Sequence, residues 1–459
     1  MPFYLLLDFG ATRVKAAICD LDSGKINHIN NFPALPNEVT KLGRHEFSPK
    51  KIWDQFSHIS DHYIKIFKGQ IKGIMLSSQM HGFILLNKNN KPITNYVSWK
   101  DERSLEIIKG IDTYSIVMNS LKNKFRKITG MNPRPGFPFM NALHSCRKNR
   151  ITGYCKMITL PDWIAMISNK SMDKTHPTML AGLGIYDINR NKLSNDLCNL
   201  AKKITKVVLS INLPSKEGGV AGYYKSGYGD IPIYVGVGDH QCAVLGAGNI
   251  KGKTISINIG TGSQVSVIKG RKIPVNAELR PYFGKDALAT ITHIPAGRSI
   301  DYYLRNIHLF IKKSSRSPND LWKKMAKLKV NDIENSSLFF DLALFKSAWN
   351  YKGNTGITNI SKVKLTEKDY LASLVKSFVA QYKDAVDQID PGKKIKLCII
   401  SGGIPKKLKY LPGIFSGILK RKTILPTKID ETLIGLKVLA LIASKKANNY
   451  IAAQKSLGK

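Results

Sequence analysis

Apolar and polar positions change rhythm along the chain, and each change marks an element. FYLLLDFG (3–10) is a short apolar run closing on Asp8 and Gly10, and VKAAICD (14–20) is a second run. LDSGK (21–25) then reads as a turn, and INHINNF (26–32) runs back. Short apolar runs bounded by Gly and Asp are strand signals, so a β-meander is expected at the start. From 51 to 68 the spacing lengthens: Ile52, Phe56, Ile59, Tyr63 and Ile66 or Phe67 fall on one face, which predicts an amphipathic helix. IKGIMLSS (71–78) reads as a buried strand. Gln79 to Gly82 then lie at its C-terminal end, where open α/β sheets bind ligands.

The opening pattern returns halfway. LLLDFGATRVKAAI (5–18) and ISINIGTGSQVSVI (255–268) both run from an apolar strand through a polar residue (Asp8, Asn258) to a glycine two places on (Gly10, Gly260), a tight polar turn and another strand. Two related halves are therefore expected, 1–245 and 246–459. Residues 301–353 are Lys-rich and helical in pattern, an elaboration of the second half. A long helix is expected over 366–389, started by Thr366 and Asp369 in capping positions. IKLCIISGG (395–403) reads as a strand running into glycines, and DETLIGLKVLALIA (430–443) as a mainly apolar helix.

Length agrees with two domains, because 459 residues exceed what one core supports. The balance of 71 Lys+Arg against 32 Asp+Glu gives a net charge of +39, which invites a polyanion. The lysines are nevertheless spread in short groups such as KKSSRS (312–317) and KKMAKLK (323–329), without an RNA-binding or zinc-finger signature. A solvated basic surface is the reading adopted, and nucleic acid is not the expected partner. Cys19, Cys146, Cys155, Cys198, Cys242 and Cys398 contain no CxxC pair, so reduced thiols are expected rather than a metal site. The apolar run at the N-terminus is too short for a signal peptide, and no run of about 18 apolar residues follows. A cytoplasmic protein without membrane insertion is expected.

Glycine hairpins with a carboxylate at a strand end suit phosphate chemistry: backbone N–H groups at the turn hold the anion while the carboxylate holds Mg²⁺ through water. DFGATRVK offers Asp8, Gly10 and Thr12; NIGTGSQVS offers Gly260, Thr261, Gly262 and Ser263; SGG (401–403) adds glycines on which a nucleotide can lie. In GVGDHQCAVLGAG (236–248), Asp239 is a lone carboxylate among glycines and apolar residues, a costly place for an unused charge. It also reads as the cap of a helix beginning at HQCAVLGAG.

Together these segments resemble, in order and over nearly the whole chain, the FGGY carbohydrate kinases of the sugar kinase, actin and heat-shock chaperone superfamily. DFGATRVKAA is similar to the first phosphate loop, SSQMHGFILL (77–86) and SWKDERS (98–104) to sugar-binding segments, GDHQCAVLGAG to the catalytic segment, INIGTGSQVS to the second phosphate loop, and ISGG (400–403) to the adenosine motif. SQMHG, WKDER and GDHQ look most like sedoheptulokinases, with glycerol kinases and xylulokinases next. The resemblance implies two actin-like (ribonuclease H-like) domains, each a mixed sheet flanked by helices, around a central cleft. It also implies ATP and Mg²⁺ as cofactors, and a ketose or polyol substrate, D-sedoheptulose first. A homodimer is compatible with it.

By position, the resemblance makes Asp239 the general base and a metal neighbour with Asp8. It places Gly10, Thr12, Arg13, Gly260, Thr261, Gly262 and Ser263 on phosphates, Gly402 and Gly403 on the nucleoside, and Gln79, His81, Trp99, Asp101, Arg103 and Gln241 on the sugar. Blander readings stand beside these: His81 as a structural histidine, Trp99 as core, Asp101 and Arg103 as each other's partners. Three departures from the family pattern are visible. Ala11 replaces a hydroxyl residue and Arg13 follows Thr12; GDHQ replaces the GDN of xylulokinases; and in THPTMLAGLGIYD (175–187), His176 stands where relatives carry an acid. The alternative in another class is a nucleotide-binding protein with little kinase activity that uses its basic surface on polyanions.

Overall fold

The computed structural model describes residues 3–260, 262–311, 314, 317–344, 348–353, 356–360, 365–426 and 429–457. The chain forms two compact units, the first of 1–246, 279–287 and 432–459, the second of 247–278 and 288–431.

In the first unit the expected meander forms as β1 (Phe3–Phe9), β2 (Arg13–Asp20) and β3 (Ile26–Pro33). The sheet runs Val220–Ser226, Gly229–Tyr234, Ile71–Ser78, β1, β2, β3, with Val237–Gly238 added beside the end of Ile71–Ser78. β1 is antiparallel to β2 and parallel to Ile71–Ser78, so Ile71–Ser78 reaches its place beside β1 by crossing over through a helix. That helix is α1 (Pro49–Ile66), capped by the Ser48 side chain with Pro49 in its first turn, where the missing proline N–H costs nothing. Its buried face is Ile52, Phe56, Ile59, Tyr63 and Ile64. Of the two residues expected to complete the stripe, Phe67 packs half-buried against the same core while Ile66 is 47% exposed; Ile64 is buried as well.

The second unit repeats the local topology. Thr254–Ile259 is antiparallel to Gly262–Lys269 and parallel to Leu397–Ser401, which is parallel in turn to Lys422–Ile424. The expected long helix is Glu367–Ile389, and the Thr366 hydroxyl accepts from the Asp369 N–H at 3.1 Å. The helices within 301–353 bury Leu304, Leu321, Met325 and Ile333 in the same core as Tyr370, Leu374 and Phe378 of that helix. They elaborate this unit, as the pattern predicted. Most of the KKSSRS group lies outside the described residues.

Among the described residues no cysteine is joined in a disulfide, and five of the six are buried. No helix among the described residues is long and apolar enough to cross a membrane.

Candidate functional site

Three parallel strands end side by side in the first unit. Asp8 pairs with Ser77 and Ser77 with Val237; one step further, Phe9 pairs with Ser78 and Ser78 with Gly238. Asp8, Gln79 and Asp239 are thereby gathered at the C-terminal edge of one sheet. The Gln79 N–H extends the ladder to the Phe9 carbonyl at 3.0 Å.

Asp8 is buried and held on both oxygens: Ser77 Oγ donates to Oδ1 at 2.6 Å and Lys15 Nζ to Oδ2 at 3.1 Å. Lys15 is also its cross-strand partner in the hairpin. Asp239 opens the helix Asp239–Gly246, whose residues His240 to Gly246 are all buried. Its Oδ1 accepts from the His240 N–H at 2.8 Å, within the first turn of that helix. Burial pushes the Asp239 carboxyl up to about 7, with the Asp8 carboxylate adding to the rise; the His240 N–H, Lys15 and Arg280 pull it back. A carboxylate that titrates near neutrality accepts a proton with the strongest driving force at which it is still ionised.

A Cβ on Gly238 would stand 2.7 Å from Gln241 Oε1 and 2.9 Å from Met80 Sδ, so those two side chains would have to shift to admit one.

Around Asp239, several polar atoms face inward. Gln79 Oε1, Gln241 Oε1 and Tyr96 Oη are buried with no hydrogen bond among the described residues. Gln241 Nε2 is committed to the Pro281 carbonyl at 3.3 Å. The Tyr96 phenol is raised by burial and then by the Asp239 carboxylate. Buried acceptors left unmatched are costly, and hydroxyl groups of a polyol would satisfy them. His81 has φ +60° and sets Nδ1 3.1 Å from the Gly182 carbonyl. A carbonyl only accepts, so the proton is on Nδ1 and Nε2 is an acceptor.

The remaining candidates divide. Trp99 is 44% exposed, with the Lys100 ammonium 5.7 Å from its ring; it is not core. Asp101 and Arg103 are buried and bind each other, Nε to Oδ1 and Nη2 to Oδ2, both at 2.8 Å. Asp101 Oδ2 also accepts from the His45 N–H, and Arg103 reaches Glu46. This pair is a brace within the protein, the second of the readings left open above. Gly10 donates to the Arg13 carbonyl at 3.1 Å to close the first turn, and the side chains of Thr12 and Arg13 are exposed at its tip.

In the second unit, Gly260 donates to the Gly262 carbonyl at 3.0 Å, and the Ser263 hydroxyl is turned back onto the Asn258 carbonyl at 2.7 Å. Thr261 lies outside the described residues. Gly402 has φ +98°, and a Cβ there would meet the Ile259 carbonyl oxygen at 2.3 Å; only glycine allows the 401–403 segment to lie against the Thr254–Ile259 strand. Gly403 begins the short helix Gly403–Lys407.

Sequence reasoning missed Ser77, Lys15, Arg280 and Tyr96. Lys15 was discoverable, since a hairpin turning at 10–13 sets it across from Asp8. Arg280 and Tyr96 left no local signal.

Comparison with known proteins follows the same outline. The N-terminal domain of the FGGY family of carbohydrate kinases matches residues 3–246. A glycerol kinase of Saccharolobus islandicus (strain L.S.2.15 / Lassen #1) is 25% identical over 460 residues, covering 95% of this chain and 87% of its own length. Among solved structures, the ligand-bound xylulose kinase of Lactobacillus acidophilus superposes with a TM-score of 0.82 at 19% identity, over 99% of this chain and 92% of that one. Plasmodium falciparum glycerol kinase with ADP gives 0.80 at 19% identity, over 100% and 92%. The fold is the mixed α/β fold of these kinases, with sheets flanked by helices.

Proposed function

The chain belongs to the FGGY family of carbohydrate kinases, and from that premise we propose that it carries phosphate from ATP to the terminal hydroxyl of a ketose, D-sedoheptulose first, giving the 7-phosphate. At the coarser level it is an ATP-dependent sugar or polyol kinase, a phosphotransferase with an alcohol acceptor. The observation that carries the mechanism is the Asp8–Gln79–Asp239 edge, with Asp239 poised near pH 7.

Ionised Asp239 takes the proton of the attacking hydroxyl as the oxygen bonds to the γ-phosphorus and ADP departs. The products are the sugar phosphate, ADP and, after Asp239 gives up its proton, H⁺. Proton removal by a positioned base is worth about 10²- to 10⁴-fold, and positioning supplies much of the rest. Gln79 Oε1, Gln241 Oε1 and His81 Nε2 receive sugar hydroxyls, while Trp99 offers an aromatic face beside them. Asp101 and Arg103 act behind this layer by bracing the segment that carries Trp99. On the first unit, Gly10, Thr12 and Arg13 meet phosphate. On the second, Gly260, Thr261, Gly262 and Ser263 do so, Ser263 through its N–H, and Gly402 and Gly403 flank the nucleoside.

The donor set fits a magnesium ion. Asp239 is raised by burial and then by the Asp8 carboxylate, so a cation beside the two would relieve that repulsion; among the described residues no group of three or more His, Cys, Asp or Glu side chains is placed to hold a metal ion by itself. A hydrated ion held through water by Asp8 and Asp239 and shared with substrate phosphates matches the habit of Mg²⁺. When bound, it offsets the negative charge of the transferring phosphoryl group.

Glycerol is the second reading, favoured by the glycerol kinases that align over 95% of the chain. The test is ADP release from ATP-Mg²⁺ against sedoheptulose, xylulose, ribulose, fructose, glycerol and no sugar, for the natural protein and Asp239→Ala. Sedoheptulose-dependent release that the substitution abolishes is the expected result. Greatest activity on glycerol or xylulose would replace the substrate, and activity surviving in Asp239→Ala would remove the base.

A further inference from the structure

The mechanism above leaves His176 unused. It is buried and caps the helix Pro177–Gly182, its Nδ1 accepting from the Thr178 N–H at 3.3 Å. The same nitrogen lies 2.8 Å from Thr178 Oγ1. A backbone N–H only donates, so Nδ1 is the unprotonated nitrogen and Nε2 carries the proton, facing Glu217 Oε2 at 3.6 Å. The Thr178 hydroxyl therefore donates to Nδ1, which turns its oxygen lone pairs outward. One of them receives the Gly238 N–H at 3.0 Å.

Gly238 is the residue immediately before Asp239. Its strand, Val237–Gly238, pairs on one side with Ser77 and Ser78. On the other side the Thr178 hydroxyl takes the place of a neighbouring strand. A buried backbone N–H needs a partner, and here that partner is a side chain whose own orientation is set by a histidine. The histidine is set in turn: Phe283 packs against its ring with centroids 5.3 Å apart. Glu217 is anchored by accepting the Gly284 N–H at 3.0 Å.

We propose that the chain Glu217–His176–Thr178–Gly238 is a positioning device for Asp239, holding the carboxylate at the angle from which it meets the attacking hydroxyl. His176 and Thr178 touch neither sugar nor phosphate; they act through the backbone of Gly238. The proposal rests on the reading of Asp239 as base, and its test is built so that the two can fail separately.

The experiment uses the full-length protein with ATP-Mg²⁺ and the best sugar of the panel. Thr178→Val keeps the shape and removes the hydroxyl; His176→Ala removes the acceptor; His176→Asn places an amide oxygen where Nδ1 was. Misplacing a catalytic group by a fraction of an ångström predicts that Thr178→Val and His176→Ala each lower kcat by about tenfold to thirtyfold. Sugar KM stays within about twofold, because the substrate's own contacts are intact. The double variant falls no further than Thr178→Val alone, since both changes break one chain. His176→Asn recovers most of kcat.

Hydrogen exchange gives a readout independent of activity. In Thr178→Val and His176→Ala, faster exchange is expected in the segment 236–241 and not in 254–269 of the second unit. Should Thr178→Val fail to fold, His176→Ala against His176→Asn carries the same comparison. A folded Thr178→Val with natural kcat and natural exchange at 236–241 overturns the proposal, as does a multiplicative loss in the double variant or a change confined to sugar KM. If Asp239→Ala stays active, the base assignment falls; altered exchange would still show that the chain holds Gly238, but no role in catalysis would remain for it.

Discussion

Asp8 has Lys15 opposite it across its hairpin and Ser77 opposite it on the parallel strand; Asn258, at the same place in the second unit, has Gln264 and Ser401. The hydroxyl contact is kept in both, Ser77 Oγ to Asp8 at 2.6 Å and Asn258 Nδ2 to Ser401 Oγ at 3.1 Å. One backbone plan thus carries Asp, Lys, Ser in one unit and Asn, Gln, Ser in the other: the shapes match and the charges are erased. The turns differ too. The first closes from Gly10 to Arg13 and the second from Gly260 to Gly262, one residue tighter. A charged trio belongs beside a carboxylate that must hold and release a proton. In the proposed reaction both turns meet phosphate, and the neutral trio does so without a fixed carboxylate to repel it.

The largest expected effect comes from Asp239, which has no counterpart in the neutral trio. Asp239→Asn should lower kcat by about 10³-fold while stabilising the fold at alkaline pH. The sign follows from the raised carboxyl: with a folded value of about 7 against an ordinary 3.8, its favourable contribution is complete below the ordinary value and lost as pH rises toward the folded one. Above that pH the asparagine variant is the more stable, on the order of 2–3 kcal/mol by thermal unfolding. Equal melting temperatures at pH 8 would show that Asp239 is not strained by burial.

Converting the first trio into the second sharpens the comparison. Asp8→Asn should cost about 10²-fold in kcat/KM. It should also move the inflection of the pH–rate profile to lower pH than in the natural protein, because the Asp8 carboxylate raises Asp239. Lys15→Gln should move it upward, since Lys15 lowers Asp239. An inflection that ignores both changes would separate the two carboxylates.

In the second unit the critical residue is a glycine. Gly402→Ala places a methyl group against the Ile259 carbonyl oxygen at a φ of +98°, at a cost of about 1–3 kcal/mol. Weaker ADP binding by calorimetry and a lower melting temperature should follow, with sugar binding unaltered. The smallest change is Asn258→Asp, which charges the neutral trio; about fivefold weaker ADP binding is expected, with the deficit shrinking at high salt.

Much of this was legible in the chain itself. The strand–turn–strand repeats, α1, the Thr366 cap and the glycine turns rest on apolar spacing and turn chemistry within a few residues, so they survive the absence of a structure. Asp239 also announced itself, as one charge in an apolar run, and Lys15 follows from Asp8 by counting around a hairpin. Other features were beyond reach. Strand order, a property of the whole sheet, brings Asp239 beside Asp8 and sets its proton affinity. That Asp101 and Arg103 bond each other was one of two readings the sequence left open, and the burial that favours it is encoded in no local pattern. His176 looked like a missing acid until Thr178 and Gly238 were found in contact with one another, because a hydrogen-bond chain exists only where folding has brought distant segments within about 3 Å. Periodicity and turn propensity are local and were written in the sequence; charge coupling and the orientation of a carboxylate are sums over distant neighbours, and only the packed structure fixes which neighbours those are.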